Sequence, residues 1–251
     1  RDALRSEVET LLGAAEERSG DLDAPGGDSA TLRPKALIAP HAGYVYSGPV
    51  AASAYATLVS FRESIQRVVL LGPAHRYPLR GLAAPNADTF ETPLGSVEVD
   101  QDALAQALEL GAVVSLDEAY EGEHSLEVHL PFLQVMLKDF KIVPLLVGDA
   151  SPEDVAEVLR LLWGGSETLI VVSSDLSHYL PYARASQVDA DTARAIEELR
   201  PEDLAYEKAC GRVPVAGLLL QARQEGLQVR CVDLRNSGDT AGPRDQVVGY
   251  G

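Results

Sequence analysis

Positive charge is what this sequence has least of. Lys and Arg together number 21 against 38 Asp and Glu, a net charge of −17. Such a polyanion is repelled at long range by nucleic acid and by anionic membranes, so neither is an expected partner. Cysteine is nearly absent as well. Cys210 and Cys231 are the two in the chain; they cannot build a disulfide framework, and a reducing cytoplasm is the expected localisation. No apolar stretch reaches the ~20 residues that a membrane-spanning helix needs. Arg1 to Glu17 has the spacing of an amphipathic helix, with Leu4, Val8, Leu11 and Leu12 on one face, rather than the pattern of a signal peptide. The glycine-containing loops match neither a P-loop nor a dinucleotide fingerprint, so no nucleotide cofactor is expected. Internal repeats, low-complexity tracts and an interdomain linker are missing too. The chain opens on Arg1 rather than Met and closes inside a strand-like run, Val247 to Gly251. A missing N-terminal segment is therefore expected.

What is there is apolar material in short, punctuated runs. Hydrophobic residues make up 46% of 251 residues, enough for one large domain. Ala36–Ala39, Val68–Leu71, Ile142–Val147 and Leu169–Val172 are continuous apolar runs bounded by Gly, Pro or Ser, the pattern of strands buried on both faces of a parallel sheet. Further strands are expected near 97–99, 228–234 and 247–250. Helices are expected near 101–110, 126–137, 152–163, 187–199 and 215–225, with another running to Phe61 from Pro49 at its first turn. The acids of 187–199 read as a solvated face, and 20–33, rich in Gly, Asp, Ser and Pro, as an exposed loop. Alternating strands and helices predict an α/β fold, a single domain with a mainly parallel central sheet and helices on both faces.

The chemistry gathers where the apolar runs end. The first runs into Pro40-His41-Ala42-Gly43-Tyr44, the second into Gly72-Pro73-Ala74-His75, and the fourth into Ser173-Ser174-Asp175-Leu176-Ser177-His178. Open α/β sheets bind ligands beyond the carboxyl ends of their strands, so these residues are expected to be neighbours in space. A lone loop histidine is commonly just bonded to backbone; His41 and His75 at two strand ends make a partial metal site. A third ligand is usual. Cys210, beside Arg212 and just before a helix, stands as a candidate thiolate, against the alternative of a small buried hydrophobe. Cys231 reads as an ordinary strand residue. Asp175 and His178, three apart, suit a supporting carboxylate and a general base, or extra ligands, and Ser174 or Asp175 can cap a short helix besides. His124 and Glu127 are read as sharing a helix face that lines the pocket, with His129 left to the core. Tyr44 and Tyr46 flank the His41 loop, and Asn236-Ser237-Gly238-Asp239 follows a strand at the same edge.

Taken in order, Ala39-Pro40-His41-Ala42-Gly43-Tyr44, Gly72-Pro73-Ala74-His75, Thr92-Pro93-Leu94-Gly95, Glu123 to Pro131, Ser173 to His178, Cys210-Gly211-Arg212 and Arg235 to Asp239 resemble the Memo family, whose prokaryotic members include AmmeMemoRadiSam system protein B. The resemblance implies a fold like the LigB-type, class III extradiol dioxygenases. It implies metal ligands at His41, His75 and Cys210, with Asp175 and His178 beside them; as catalytic residues, His178 steered by Asp175 is expected to move a proton to or from a bound substrate. Iron(II) or copper(I) is the implied metal, with zinc ranked below both, and a small organic molecule the implied substrate of a redox enzyme. The dioxygenases carry a carboxylate where Cys210 stands, and thiolate favours softer metals. A radical SAM protein and an AMMECR-domain protein are the implied partners. A metal-free cysteine enzyme and a binding module that keeps an enzyme-like pocket are the other readings.

Overall fold

The computed structural model describes residues 1–20, 33–205 and 207–251. The loop expected at 20–33 falls almost wholly outside the described residues. The chain runs α1 (Asp2–Gly20), β1 (Ala36–Ala39), α2 (Tyr44–Ala56), β2 (Arg67–Pro73), β3 (Leu82–Ala84), β4 (Thr89–Thr92), β5 (Gly95–Val99), α3 (Gln101–Leu108) and β6 (Val113–Ser115). It continues through α4 (Leu130–Met136), β7 (Lys141–Val147), α5 (Pro152–Leu162), β8 (Thr168–Ser173), β9 (His178–Leu180), α6 (Tyr182–Glu197), α7 (Arg212–Gln224), β10 (Arg235–Asn236), α8 (Ser237–Thr240) and β11 (Val247–Tyr250). Among the described residues the main sheet is eight-stranded, ordered β1-β8-β2-β7-β3-β6, with β5 pairing β7 and β4 pairing β5. The contacts β1–β8, β8–β2 and β2–β7 are parallel, and β3 meets β7 antiparallel. A second sheet, β10-β11-β9, is antiparallel. This is the mainly parallel α/β architecture that the punctuated apolar runs predict.

Burial explains why those runs become central strands. Val68–Leu71, Ile142, Val143, Leu145, Leu146 and Ile170–Val172 are wholly shielded from solvent, and each such side chain contributes about 1.5–3 kcal/mol by leaving water. Helix α5 shows the complementary logic. Ser151 and Asp154 form a capping box, Pro152 opens the first turn, and Val155, Val158, Leu159 and Leu162 face the core.

Several expectations need correction. Pro49 lies six residues into α2, which starts at Tyr44 and ends at Ala56; the missing N–H removes one bond within the helix rather than opening it. Residues 228–234 alternate between exposed and half-buried yet form no strand. Their alternation is real, but the segment lies against helices: Asp233 accepts from Ser53 of α2 (2.7 Å) and the Cys231 amide donates to Glu197 of α6 (2.8 Å). The helix expected from Leu126 begins at Leu130, after a 3-10 turn at Glu127–His129, so His124 and Glu127 share no helix face. Pro131 occupies the first turn of α4, where its missing N–H would have no partner in any case. On α6, Asp189 is buried rather than solvated.

The order β1-β8-β2 decides where function can sit. His41, Asp175 and His75 each lie two residues beyond the carboxyl end of one of these neighbouring parallel strands, so the sheet itself gathers them.

Candidate metal centre

Donor atoms of His41, His75 and Cys210 lie within 4.8 Å of one another. Cys210 Sγ is 3.5 Å from His41 Nε2, and the His41 and His75 rings stand 5.2 Å apart, edge to face. Cys210 enters from the turn ahead of α7, and its neighbour Gly211 explains how closely. The Gly211 amide donates to Ser174 Oγ (3.0 Å), and a Cβ on Gly211 would sit 2.5 Å from the Ser173 carbonyl oxygen. Only glycine lets this turn press onto the end of β8.

Both imidazoles are held so that Nε2 is free for a ligand. Ser173 donates its hydroxyl proton to the Ser125 carbonyl (2.5 Å), so the 2.6 Å contact between Ser173 Oγ and His41 Nδ1 has the imidazole as donor. Glu123 does the same for His75: its Oε1 accepts from His75 Nδ1 at 3.0 Å. Locking Nδ1–H against an oxygen acceptor fixes the tautomer and aims the other nitrogen, the usual arrangement for a metal-binding histidine.

Glu123 binds more than one ring. It also accepts from the amides of His75 (2.6 Å), His124 (2.9 Å) and Ser125 (2.9 Å). Burial by itself would raise its pKa, but the bonds from the His75 side chain and backbone and from Ser125 overcome this and hold it at about 2. His75 responds in kind: bonds to Cys210 and Glu123 raise its pKa to about 10. His41 goes the other way, pushed down to about 3 by burial first and then by His75 and His124. Without a metal, then, the two imidazoles differ: bonding raises the pKa of His75 and burial lowers that of His41. Two imidazole nitrogens and a sulfur gathered this closely suit a soft or borderline cation, so these residues fit a metal ion.

Asp175 ties the parts together. Its Oδ1 accepts from the His41 amide (2.8 Å), its own amide donates to Cys210 Sγ (3.3 Å), and its carbonyl accepts from the Cys210 amide (3.2 Å). Its Oδ2 is 4.0 Å from His41 Nε2. Burial raises its pKa, opposed by the His41 amide and by charge interaction with His178. His178 itself is exposed, beside Tyr179 at a ring distance of 5.9 Å. His124 stacks on His75 at 5.7 Å and 17°. Tyr44 and Glu127 lie elsewhere. The Tyr44 hydroxyl donates to the Val128 carbonyl (2.7 Å) and its ring packs on Phe132, while Glu127 walls a cavity of about 250 Å³ with Phe90, Tyr120, Leu146 and Glu123. His129 is buried, its Nδ1 3.0 Å from the Tyr55 hydroxyl. Sequence reasoning passed over Glu123 and Ser173. The only signal for Glu123 was an acid directly preceding His124, which helix capping explained as well.

Comparison with known proteins now decides the family. The family model for Memo-like proteins matches residues 9–251. The chain belongs to the Memo family. A MEMO1 family protein of Aeropyrum pernix is 40% identical over 230 residues, covering 86% of this chain and 81% of that relative. MEMO1 family proteins of Saccharolobus solfataricus (38%, covering 85% of this chain and 80% of the relative) and Aquifex aeolicus (37%, covering 87% and 85%) are similar. Among solved structures, an uncharacterized protein from Escherichia coli K12 superposes with a TM-score of 0.54 at 16% identity, over 86% of this chain and 98% of that one. That likeness shows the fold alone. To Memo-family membership the site geometry adds a His/His/Cys constellation that can hold a metal ion.

Proposed function

We propose that this chain is a metal-dependent oxidoreductase that holds one iron(II) or copper(I) ion between His41, His75 and Cys210 and acts on a small organic substrate. The observation that carries the reading is the convergence of two tautomer-locked imidazoles on one sulfur at the carboxyl edge of the sheet. A bound ion of this kind would supply electron transfer and polarise a donor oxygen of the substrate. The protein's own contribution is orientation and proton handling. Ser173 and Glu123 aim the imidazoles, Asp175 sets the spacing of His41 and Cys210, and His178 at the exposed mouth moves a proton to or from the substrate. Thiolate in place of carboxylate favours copper(I) over iron(II) relative to a two-histidine, one-carboxylate site.

The test is metal content after anaerobic reconstitution with ferrous iron or cuprous copper, with anomalous scattering to locate the ion. About one ion per chain between the three residues is expected. Density elsewhere, with none between them, removes the reading. One observation favours a second reading, a binding module. Val45 (60% exposed), Tyr46 (41%) and Tyr179 (70%) give the protein large apolar side chains in solvent near the His41 and His178 loops. Substrate-dependent dioxygen consumption by the loaded protein separates the two, since a binding module consumes none.

A further inference from the structure

We propose that Asp189 is a positioning residue for His41 and Cys210: buried between α6 and β11, its carboxyl holds the Ser177 amide and thereby sets the segment 173–178 that fixes both. The role of those two residues as ligands rests on the metal-site reading; the positioning itself does not. Asp189 is 2% exposed, and an acid so placed is costly unless it holds something. Its Oδ1 accepts from the Ser177 amide at 3.0 Å. The same segment is stitched to β11 by two backbone bonds, Gly249 N to Ser177 O (2.8 Å) and Leu176 N to Gly249 O (2.8 Å). A Cβ on Gly249 would lie 2.1 Å from Asp189 Oδ2, so glycine is what lets the carboxyl reach the segment.

The remaining atoms pair Asp189 with Ser177 a second time. Asp189 Oδ2 and Ser177 Oγ are both buried, and neither has a hydrogen-bond partner at ordinary geometry among the described residues. Burial raises the Asp189 pKa, opposed by the Ser177 amide and the Ser177 side chain. A hydrogen bond between Oδ2 and Ser177 Oγ satisfies both atoms at once. From Ser177 the constraint passes to Asp175, two residues upstream, whose amide, carbonyl and carboxyl hold Cys210 Sγ, the Cys210 amide and the His41 amide. Ser173 of the same segment holds His41 Nδ1.

The test uses full-length chain carrying Cys231→Ser, so that Cys210 is the only thiol. Alkylation of Cys210 by iodoacetamide is measured without metal, and cobalt(II) affinity and the thiolate-to-cobalt absorption band with it. Asp189→Ala should speed alkylation roughly 10-fold, because the loosened segment exposes the sulfur, and weaken cobalt binding 10–100-fold. Asp189→Asn keeps a neutral acceptor for the Ser177 amide and should stay within about twofold of the parent. Gly249→Ala, which displaces the carboxyl sterically, should behave like Asp189→Ala and carries the test if that variant does not fold. Parent-like alkylation and cobalt spectra in a folded Asp189→Ala or Gly249→Ala variant, with only the melting temperature lowered, would overturn the proposal. A parent that shows no thiolate–cobalt band, while its alkylation still depends on Asp189, would instead refute the metal reading and uphold the positioning role.

Discussion

Glu123 offers the sharpest test of how this centre is held together. Glu123→Gln changes almost no volume, yet the carboxylate it replaces accepts four N–H bonds, from the His75 ring and the amides of His75, His124 and Ser125. Glutamine has one acceptor oxygen and one donor nitrogen. Whichever way the amide is turned, its nitrogen faces a donor, and at least one buried N–H loses its partner. That loss costs about 1–3 kcal/mol, and converting the surviving bonds from charged to neutral costs roughly half a kcal/mol or more each. The metal-free variant should therefore lose on the order of 3 kcal/mol, a fall of about 6–12 °C in Tm for a chain of this size. Metal affinity should drop 10–100-fold, because the His75 ring is no longer locked. The assay is anaerobic competition against a chromophoric chelator, alongside thermal unfolding of the metal-free protein. Unchanged affinity with a Tm within about 2 °C of wild type would show that Glu123 fills space and holds nothing.

Asp175→Asn keeps an oxygen for the His41 amide but removes the charge beside His178, so metal affinity should fall about 10-fold with Tm nearly unchanged; a Tm loss with affinity intact returns Asp175 to a purely structural part. Cys210→Asp should shift relative affinity from copper(I) toward iron(II), as paired titrations of the two metals would read, and unchanged relative affinity means Cys210 is no ligand. His41 and His129 both have folded pKa values of about 3, below the ordinary 6.5, each lowered first by burial. The unfolded chain therefore binds more protons at these two groups between those limits, so the stability they contribute to the metal-free protein is full above about pH 6.5 and is lost as pH drops through the window. The slope approaches 1.4 kcal/mol per pH unit per group. Denaturant unfolding between pH 6.5 and 5 should show it, His129→Gln should remove about half, and a flat profile refutes it. Tyr179 holds a left-handed backbone, φ 56°, which costs an L-residue roughly 1–2 kcal/mol. Tyr179→Gly should raise Tm by ~1–4 °C after the entropy cost of glycine, and a fall in Tm means the phenol holds more than the strain it imposes.

The part of the centre that could be read from sequence is the part set by local rules. A buried strand announces itself by an apolar run, and its carboxyl end by the Gly, Pro or Ser that stops it, so His41, His75 and Asp175 stand out one at a time. That they meet depends on β8 lying between β1 and β2, a pairing of segments more than 90 residues apart in sequence that no local pattern encodes. Glu123 and Ser173 escaped for a related reason. Each acts through a contact with a residue distant in sequence, while its own surroundings look like an ordinary cap or strand end. The false strand at 228–234 is the converse: a period of two shows that one face of an extended chain is covered, and does not say whether a strand or a helix covers it.

The two histidines are unequal, and the inequality gives the centre a direction. His41 is buried, its pKa lowered, and backed by Ser173, at the floor; His75 is exposed, its pKa raised by bonds to Cys210 and Glu123. If the three residues hold a metal, an incoming ion would meet His75 first and displace its proton before it reaches His41. The chain's charge of −17 draws cations toward the protein as a whole, whereas the His75 proton guards the centre itself. Binding would then couple to proton release, and metal affinity measured by chelator competition should rise with pH as His75, its pKa raised to about 10, loses its proton. His124, stacked on His75, and His178, exposed at the start of β9, border the same approach. On the proposed reading, a substrate entering by this route would meet these imidazoles before it met the metal, which would put proton transfer at the entrance rather than at the floor.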